Sequence, residues 1–197
     1  MKVRTLLVVV AVALLLCAPM AFGQNLLTNG SFETGDFTGW TTGGNFEFSE
    51  VTSGAFYDYT GAQQGTFYGV FGPVSTPGTL SQSFSDSAGT QYTFSFWLAS
   101  VGDNPSSFSA SFDGQVELNL TNPNTGANWT QFSFSATGTG NDTISFSFRD
   151  DPGYIGLDNV SVVAQSGQGT VPEPSSFLLM GSGALALAGV IRRKLHR

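Results

Sequence analysis

The chain has 197 residues and a formal net charge of −7, the size of one ordinary domain with short appendages. Charged residues make up only 11% and aromatics 13%, which excludes a disordered chain, since disorder needs high charge and few aromatics. Residues 24–170 carry 13 acids and a single base, Arg149, a net of −12; such a surface repels phosphate backbones, excludes nucleic acid as a partner and favours divalent cations. The same stretch lacks Cys, His and Lys. Ser-His-Asp and Cys-His nucleophiles, Schiff-base lysines, disulfides and zinc sites built on His or Cys are thereby removed.

The N-terminus places Lys2 and Arg4 before an apolar run from Leu6 to Leu16, followed by Ala21-Phe22-Gly23. A basic start, a short apolar core and small residues two apart make a secretory signal peptide over residues 1–23, cut by signal peptidase after Gly23. The apolar run is short for a bilayer span. Cys17 follows Leu16, where a lipoprotein signal needs a small residue.

Residues 24–165 read as one all-β domain. Tyr92, Phe94, Phe96 and Leu98 alternate with polar residues and share one face. Phe108, Ala110 and Phe112 do the same, as do Val116, Leu118 and Leu120, then Phe132 and Phe134, then Ile144, Phe146 and Phe148, and finally Val160 and Val162. Period two with Ser or Thr between marks strands with one buried and one wet face. Weaker strands are expected near 45–51, 66–71 and 79–84. Turn signals separate them, among them Gly43-Gly44, Pro77-Gly78, Asp103-Asn104-Pro105, Asn122-Pro123-Asn124 and a two-residue hairpin turn at Asp113-Gly114. About ten strands without helical stretches predict an antiparallel jelly-roll β-sandwich.

The ends of this domain carry a resemblance. Asn25-Leu-Leu-Thr-Asn29-Gly30-Ser31-Phe32-Glu33 with Gly39-Trp40, Gly65-Thr-Phe67-Tyr68, Gln91-Tyr-Thr-Phe-Ser-Phe-Trp97 and Ile155-Gly-Leu157-Asp158-Asn159-Val160-Ser161-Val162 together resemble galactose-binding-like and related carbohydrate-binding jelly rolls. The resemblance implies that a structural calcium ties the first strand to the last, with Glu33 and Asp158 as its carboxylates. Calcium takes six to eight oxygens, mixing carboxylates and carbonyls.

Two further sets of residues stand out. Asp142, Asp150 and Asp151 beside Arg149 read as exposed loop charge, with the paired-carboxylate chemistry of a glycosidase as the alternative. Trp97 is out of phase with Phe94 and Phe96, so it lies on the wet face, where an indole plane can stack on a sugar ring. Tyr57, Tyr59 and Tyr154 sit in loop-like sequence and are candidate glycan contacts with it. Trp40 and Trp129 open strands after turn residues and read as core.

Residues 166–171, Ser-Gly-Gln-Gly-Thr-Val, form a flexible linker. The tail, 172–197, then reads Pro172-Glu173-Pro174, an apolar stretch from about 175 to 191 containing Gly181, Gly183 and Gly189, and the basic cluster Arg192-Arg193-Lys194. The stretch predicts a single transmembrane helix of about 25 Å, and the basic cluster sets the C-terminus on the cytoplasmic side. The signal peptide agrees with that topology. The prolines hold the chain extended just outside the membrane.

This tail resembles the PEP-CTERM sorting signal of bacterial exported proteins. The resemblance implies an exosortase, a membrane thiol protease-transpeptidase that recognises and removes the tail, and a bacterium that makes extracellular polysaccharide. The expected function is that of an exported, non-enzymatic surface or extracellular-matrix protein. The alternative is a carbohydrate-binding module for an extracellular glycan, and a carboxylate-based glycosidase ranks third.

Overall fold

Alternation of apolar and polar residues builds two facing sheets. The computed structural model describes residues 23–165. They form ten strands: β1 (Thr41–Gly44), β2 (Ser49–Ser53), β3 (Phe67–Phe71), β4 (Gly78–Ser85), β5 (Gln91–Ala99), β6 (Ser106–Phe112), β7 (Gln115–Thr121), β8 (Thr130–Thr137), β9 (Asn141–Asp150) and β10 (Ile155–Ala164). One five-stranded sheet runs β1-β4-β9-β6-β7 and the other β2-β3-β10-β5-β8. Every pairing within them is antiparallel, so the domain is an all-β sandwich. The expected signal peptide, apart from Gly23, and the expected linker, transmembrane stretch and sorting tail lie outside the described residues. Among the described residues no helix is long and apolar enough to cross a membrane.

The inward residues of each strand supply the core. Phe94, Phe96 and Leu98 of β5 face Phe146 and Phe148 of β9 and Phe108 of β6, all buried. Phe71 of β3 stacks on Phe148 at 3.9 Å between ring centroids, an aromatic contact that joins the two sheets. Trp40 is buried, stacks on Phe32 and donates its indole N–H to the Asn29 carbonyl at 3.0 Å. The Asp113-Gly114 turn links β6 to β7 with both residues at positive φ, 47° and 79°, the backbone a two-residue hairpin requires.

Two expectations change. The weak strand expected near 45–51 begins only at Ser49, as β2; residues 45–48, with Phe46 and Phe48, form a turn that follows the unexpected strand β1. Thr41–Gly44 has no apolar residue to announce it, yet it pairs with β4 as an edge strand, where one partner suffices. Val116 does not share the face of Leu118 and Leu120. It lies opposite Ser111 while Leu118 lies opposite Ala110, so Glu117 is an extra residue in the ladder. That bulge turns Val116 outward, where it is 66% exposed.

The opening segment is laced to the last strand. Asn25 accepts from the Val162 amide at 2.9 Å and donates to the Val160 carbonyl at 3.1 Å. The Val160 amide donates to the Gly30 carbonyl at 2.8 Å. A Cβ at Gly30 would fall 2.1 Å from the Val160 carbonyl oxygen, so only glycine allows this approach.

Candidate functional site

The outer face of the second sheet is not bare. Residues 54–66 fold over it and create a smaller core of Tyr59, Tyr68, Val70 and Ala99, with Phe56, Trp129 and Tyr154 packed at its edge. Trp129 donates its indole N–H to the Gly61 carbonyl at 3.0 Å. Tyr59 is buried, and its hydroxyl donates to the Tyr154 and Ala99 carbonyls. Its assignment as a glycan contact is therefore corrected: the ring fills the second core and its polar end is bound inside the protein. Burial pushes its hydroxyl pKa up, and the charges of Asp150 and Asp103 add to the shift.

The segment that buries Tyr59 presents Tyr57. Phe56 and Tyr59 exchange backbone hydrogen bonds around a two-residue turn, and Tyr57 stands on it at φ 52°. Tyr57 is 49% exposed and its hydroxyl donates to Asp103 Oδ2 at 3.3 Å. Its ring meets Tyr154 edge to face at 5.5 Å, and Tyr154 meets Phe56 in the same way at 5.0 Å. Phe48, on the turn before β2, is 59% exposed at φ 56°. Phe48, Ser49, Glu50 and Tyr154 line an open cavity of about 290 Å³. An aromatic rim with one carboxylate is thus assembled from three parts of the chain. The second notable cavity, about 330 Å³, lies between β7 and β8, lined by Glu117, Ser135 and Thr137 among others; Phe112, its aromatic residue, is buried.

Trp97 is half-buried and lies in register with Asp158 of β10 and Gln131 of β8. It shares the outer face of β5 with Ala99, outside the second core, and lines neither cavity. Phe48 and Glu50 were not legible as site residues, because the 45–51 stretch reads as one strand with Phe46 and Phe48 in phase. The structure puts Phe46 against the core and Phe48 into solvent.

Glu33 and Asp158 meet at the seam between the first segment and the last strand. Glu33 Oε1 accepts from the Thr66 and Phe67 amides at 2.9 and 3.0 Å. Asp158 Oδ2 accepts from Gln63 and Gln64, and Oδ1 from Asn159. Asn159 sits at φ 50° where the pairing of β10 with β5 shifts register. Burial pushes Asp158 up to about 6, the three amides pulling the other way and the Glu33 charge adding a small rise. The pair has the charge and oxygen donors that calcium takes, but five main-chain amides already occupy much of it. Among the described residues no three acidic, His or Cys side chains converge on one point.

Asp142 and Asp150 are not exposed loop charge; both are fully buried. They occupy the two ends of β9, about 26 Å apart at 3.3 Å per residue, far beyond the roughly 5–10 Å that separates glycosidase carboxylates. Asp142 faces Asp86. Burial opposes ionisation of Asp142, but bonds from the Thr139 amide and hydroxyl hold it low, while burial and the neighbouring Asp142 raise Asp86. Asp151 forms an ion pair with Arg149 at 3.0 Å and accepts from the Ser75 amide. Alternation held the clue to the two burials: Asp142 and Asp150 share the parity of Ile144, Phe146 and Phe148, the inward face.

Residues 170–194 match the PEP-CTERM protein-sorting motif. The span includes Pro172, Glu173, Pro174, Arg192, Arg193 and Lys194. The sandwich is similar to several solved domains. A family 61 carbohydrate-binding module, TmCBM61, solved with β-1,4-galactotriose, is 23% identical, with TM-score 0.60 over 72% of this chain and 99% of that one. The xylan-binding domain CBM22-1 of Paenibacillus barcinonensis Xyn10C is 19% identical, with TM-score 0.51 over 73% and 96%. The K2 cleaved adhesin domain of Lys-gingipain is 15% identical, with TM-score 0.51 over 68% and 96%. No curated protein matches the sequence. These likenesses define a carbohydrate-binding-module-like jelly roll joined to a sorting tail.

Proposed function

We propose that this chain is an exported, non-catalytic envelope or matrix protein, sorted by an exosortase through Pro172-Glu173-Pro174, whose sandwich binds an extracellular glycan at the Phe48–Tyr57–Tyr154 rim. One observation carries the glycan reading: the exposed Phe48 ring and the half-buried Tyr154 line a 290 Å³ cavity with Glu50, and the exposed Tyr57 ring packs edge to face on Tyr154 beside it. Pyranose rings present apolar C–H faces that stack on aromatic planes, and their hydroxyls bond to a nearby acceptor. The rim moves glycan recognition ahead of a passive matrix role. The likeness to modules solved with galactotriose or described as xylan-binding supports the reading. Tyr57 and Tyr154 remain glycan contacts here, with Phe48 and Glu50 added. Trp97 keeps a secondary place on the half-buried outer face.

The tail supports delivery. A signal peptide, a short apolar stretch and a terminal basic cluster support a precursor held in the membrane with its C-terminus cytoplasmic, from which an exosortase would remove the tail at the envelope. Calcium at Glu33 and Asp158 is a further part of the proposal. Its support is a buried carboxylate beside a second one, with no base between them; it would reinforce a seam that the amides already hold.

Affinity electrophoresis of the purified protein through galactan, xylan, cellulose and bacterial exopolysaccharide gels tests the binding reading. Retardation by at least one glycan is expected. Free migration through all of them leaves the passive matrix role.

A further inference from the structure

Asp150 is the least satisfied group in the described fold. Its side chain is fully buried and neither carboxylate oxygen receives a well-formed hydrogen bond. The other two fully buried aspartates show what burial normally demands: Asp142 accepts from the Thr139 amide and hydroxyl, and Asp158 from three amides. The nearest donor to Asp150, the Gly153 amide, lowers its pKa without making a well-formed bond, and a buried carboxylate so poorly bonded is neutralised by a proton or a cation.

The surroundings favour a cation. Asp103, on the loop between β5 and β6, acts on Asp150 as its strongest charged neighbour. It is half-buried, so the pair opens to solvent on that side. Its Oδ2 takes the Tyr57 hydroxyl at 3.3 Å and lies against the 151–154 loop, where a Cβ at Gly153 would fall 1.7 Å away. The Ser106 hydroxyl, on the residue paired with Asp150, donates to the Asp103 carbonyl and fixes the loop over the end of β9. No base neutralises the pair. Arg149 is committed to Asp151 and is the one cation among residues 24–170. Burial, and then the Asp103 charge, push Asp150 up, with the Gly153 amide pulling the other way.

We propose that Asp103 and Asp150 bind a divalent cation of the calcium type at the loop end of the sandwich, beneath Tyr57. Two carboxylates supply hard oxygen donors and offset the charge, and water on the Asp103 side completes the shell. The site is distinct from the Glu33–Asp158 seam. It does not depend on glycan binding, because its ligand is the metal alone. Occupied, it fixes Asp103 and through it the Tyr57 hydroxyl.

Calorimetric titration of calcium chloride into the chelator-stripped full chain in detergent at pH 7.5 tests this. We expect a binding event that weakens at least tenfold in Asp150→Asn and in Asp103→Asn but persists in Glu33→Gln. Asp103→Asn lies on a half-exposed loop, so it decides the matter if Asp150→Asn fails to fold. Unchanged calcium binding in Asp103→Asn overturns the proposal. So does a wild-type protein whose only calcium heat disappears in Glu33→Gln, and so does one that binds no calcium, which would mean that a proton alone neutralises Asp150. Glycan retardation with no calcium heat would overturn the cation site while leaving the glycan reading intact.

Discussion

The rings of Tyr57 and Tyr154 meet edge to face at 5.5 Å, although 97 positions separate them in the chain. One stands on the turn that covers the second sheet, the other on the loop entering β10. Tyr57 is half-exposed, so its ring contributes little to folding and is free to serve a ligand. Tyr57→Ala should weaken glycan binding about tenfold, equivalent to about 1.4 kcal/mol, with the melting temperature nearly unchanged. Tyr57→Phe keeps the stacking plane and loses only the bond to Asp103, so its loss should be smaller. Calorimetry on both variants checks the order; equal affinities in all three proteins would remove Tyr57 from the site.

Acid–base behaviour should reveal the buried aspartates. Asp150 and Asp158 have folded-state pKa values of about 7 and about 6, above the ordinary 3.8. The folded protein therefore holds protons that the unfolded chain has already released. Stability from these groups is present at acid pH and is lost as pH rises from about 4 to about 7, by up to about 1.4 kcal/mol per pH unit for each group. Above that window it levels off. Urea melts between pH 4 and 8 without calcium should show the decline. Asp150→Asn should flatten its upper part, and a variant that keeps the full slope between pH 6 and 7 would contradict the assignment.

The seam gives a sharper stability test. Gly30 lies against the Val160 carbonyl, and Asn25 makes paired bonds to β10. Gly30→Ala forces the first segment off the last strand and should cost about 2 kcal/mol or more. Asn25→Ala should cost about 1–2 kcal/mol through two lost hydrogen bonds. Chemical denaturation measures both; a Gly30→Ala protein as stable as the parent would show that the segment relaxes freely.

Sorting is tested in the cell. Replacing Pro172, Glu173 and Pro174 together by alanine, in a host with an exosortase, should leave a larger precursor in the membrane fraction on an immunoblot. Normal processing of that variant would remove the sorting role from the motif.

Much of the fold was legible because its strands obey a period of two. Phe94, Phe96, Ile144, Phe146 and Phe148 announce β5 and β9, and Asp113-Gly114 announces the hairpin. Thr41–Gly44 escaped notice because an edge strand of threonines and glycines carries no hydrophobic signal. Val116 was misplaced because a bulge is one extra residue, invisible to simple alternation. The site was less legible. Tyr59 and Tyr57 are near neighbours in one loop, and only the fold over the second sheet decides that one is buried and the other shown. The turn-like neighbours of Asp150 suggest loop charge, although its parity with Phe148 points inward.

The central claim is that the aromatic rim binds glycan. Its most direct test is calorimetry of the wild-type protein, Tyr154→Ala and Phe48→Ala against a soluble oligosaccharide of whichever glycan retards it. The account predicts saturable binding by wild type and at least a tenfold loss in both variants, with circular dichroism unchanged. Equal affinity in all three proteins would place the ligand elsewhere on the sandwich and contradict the account.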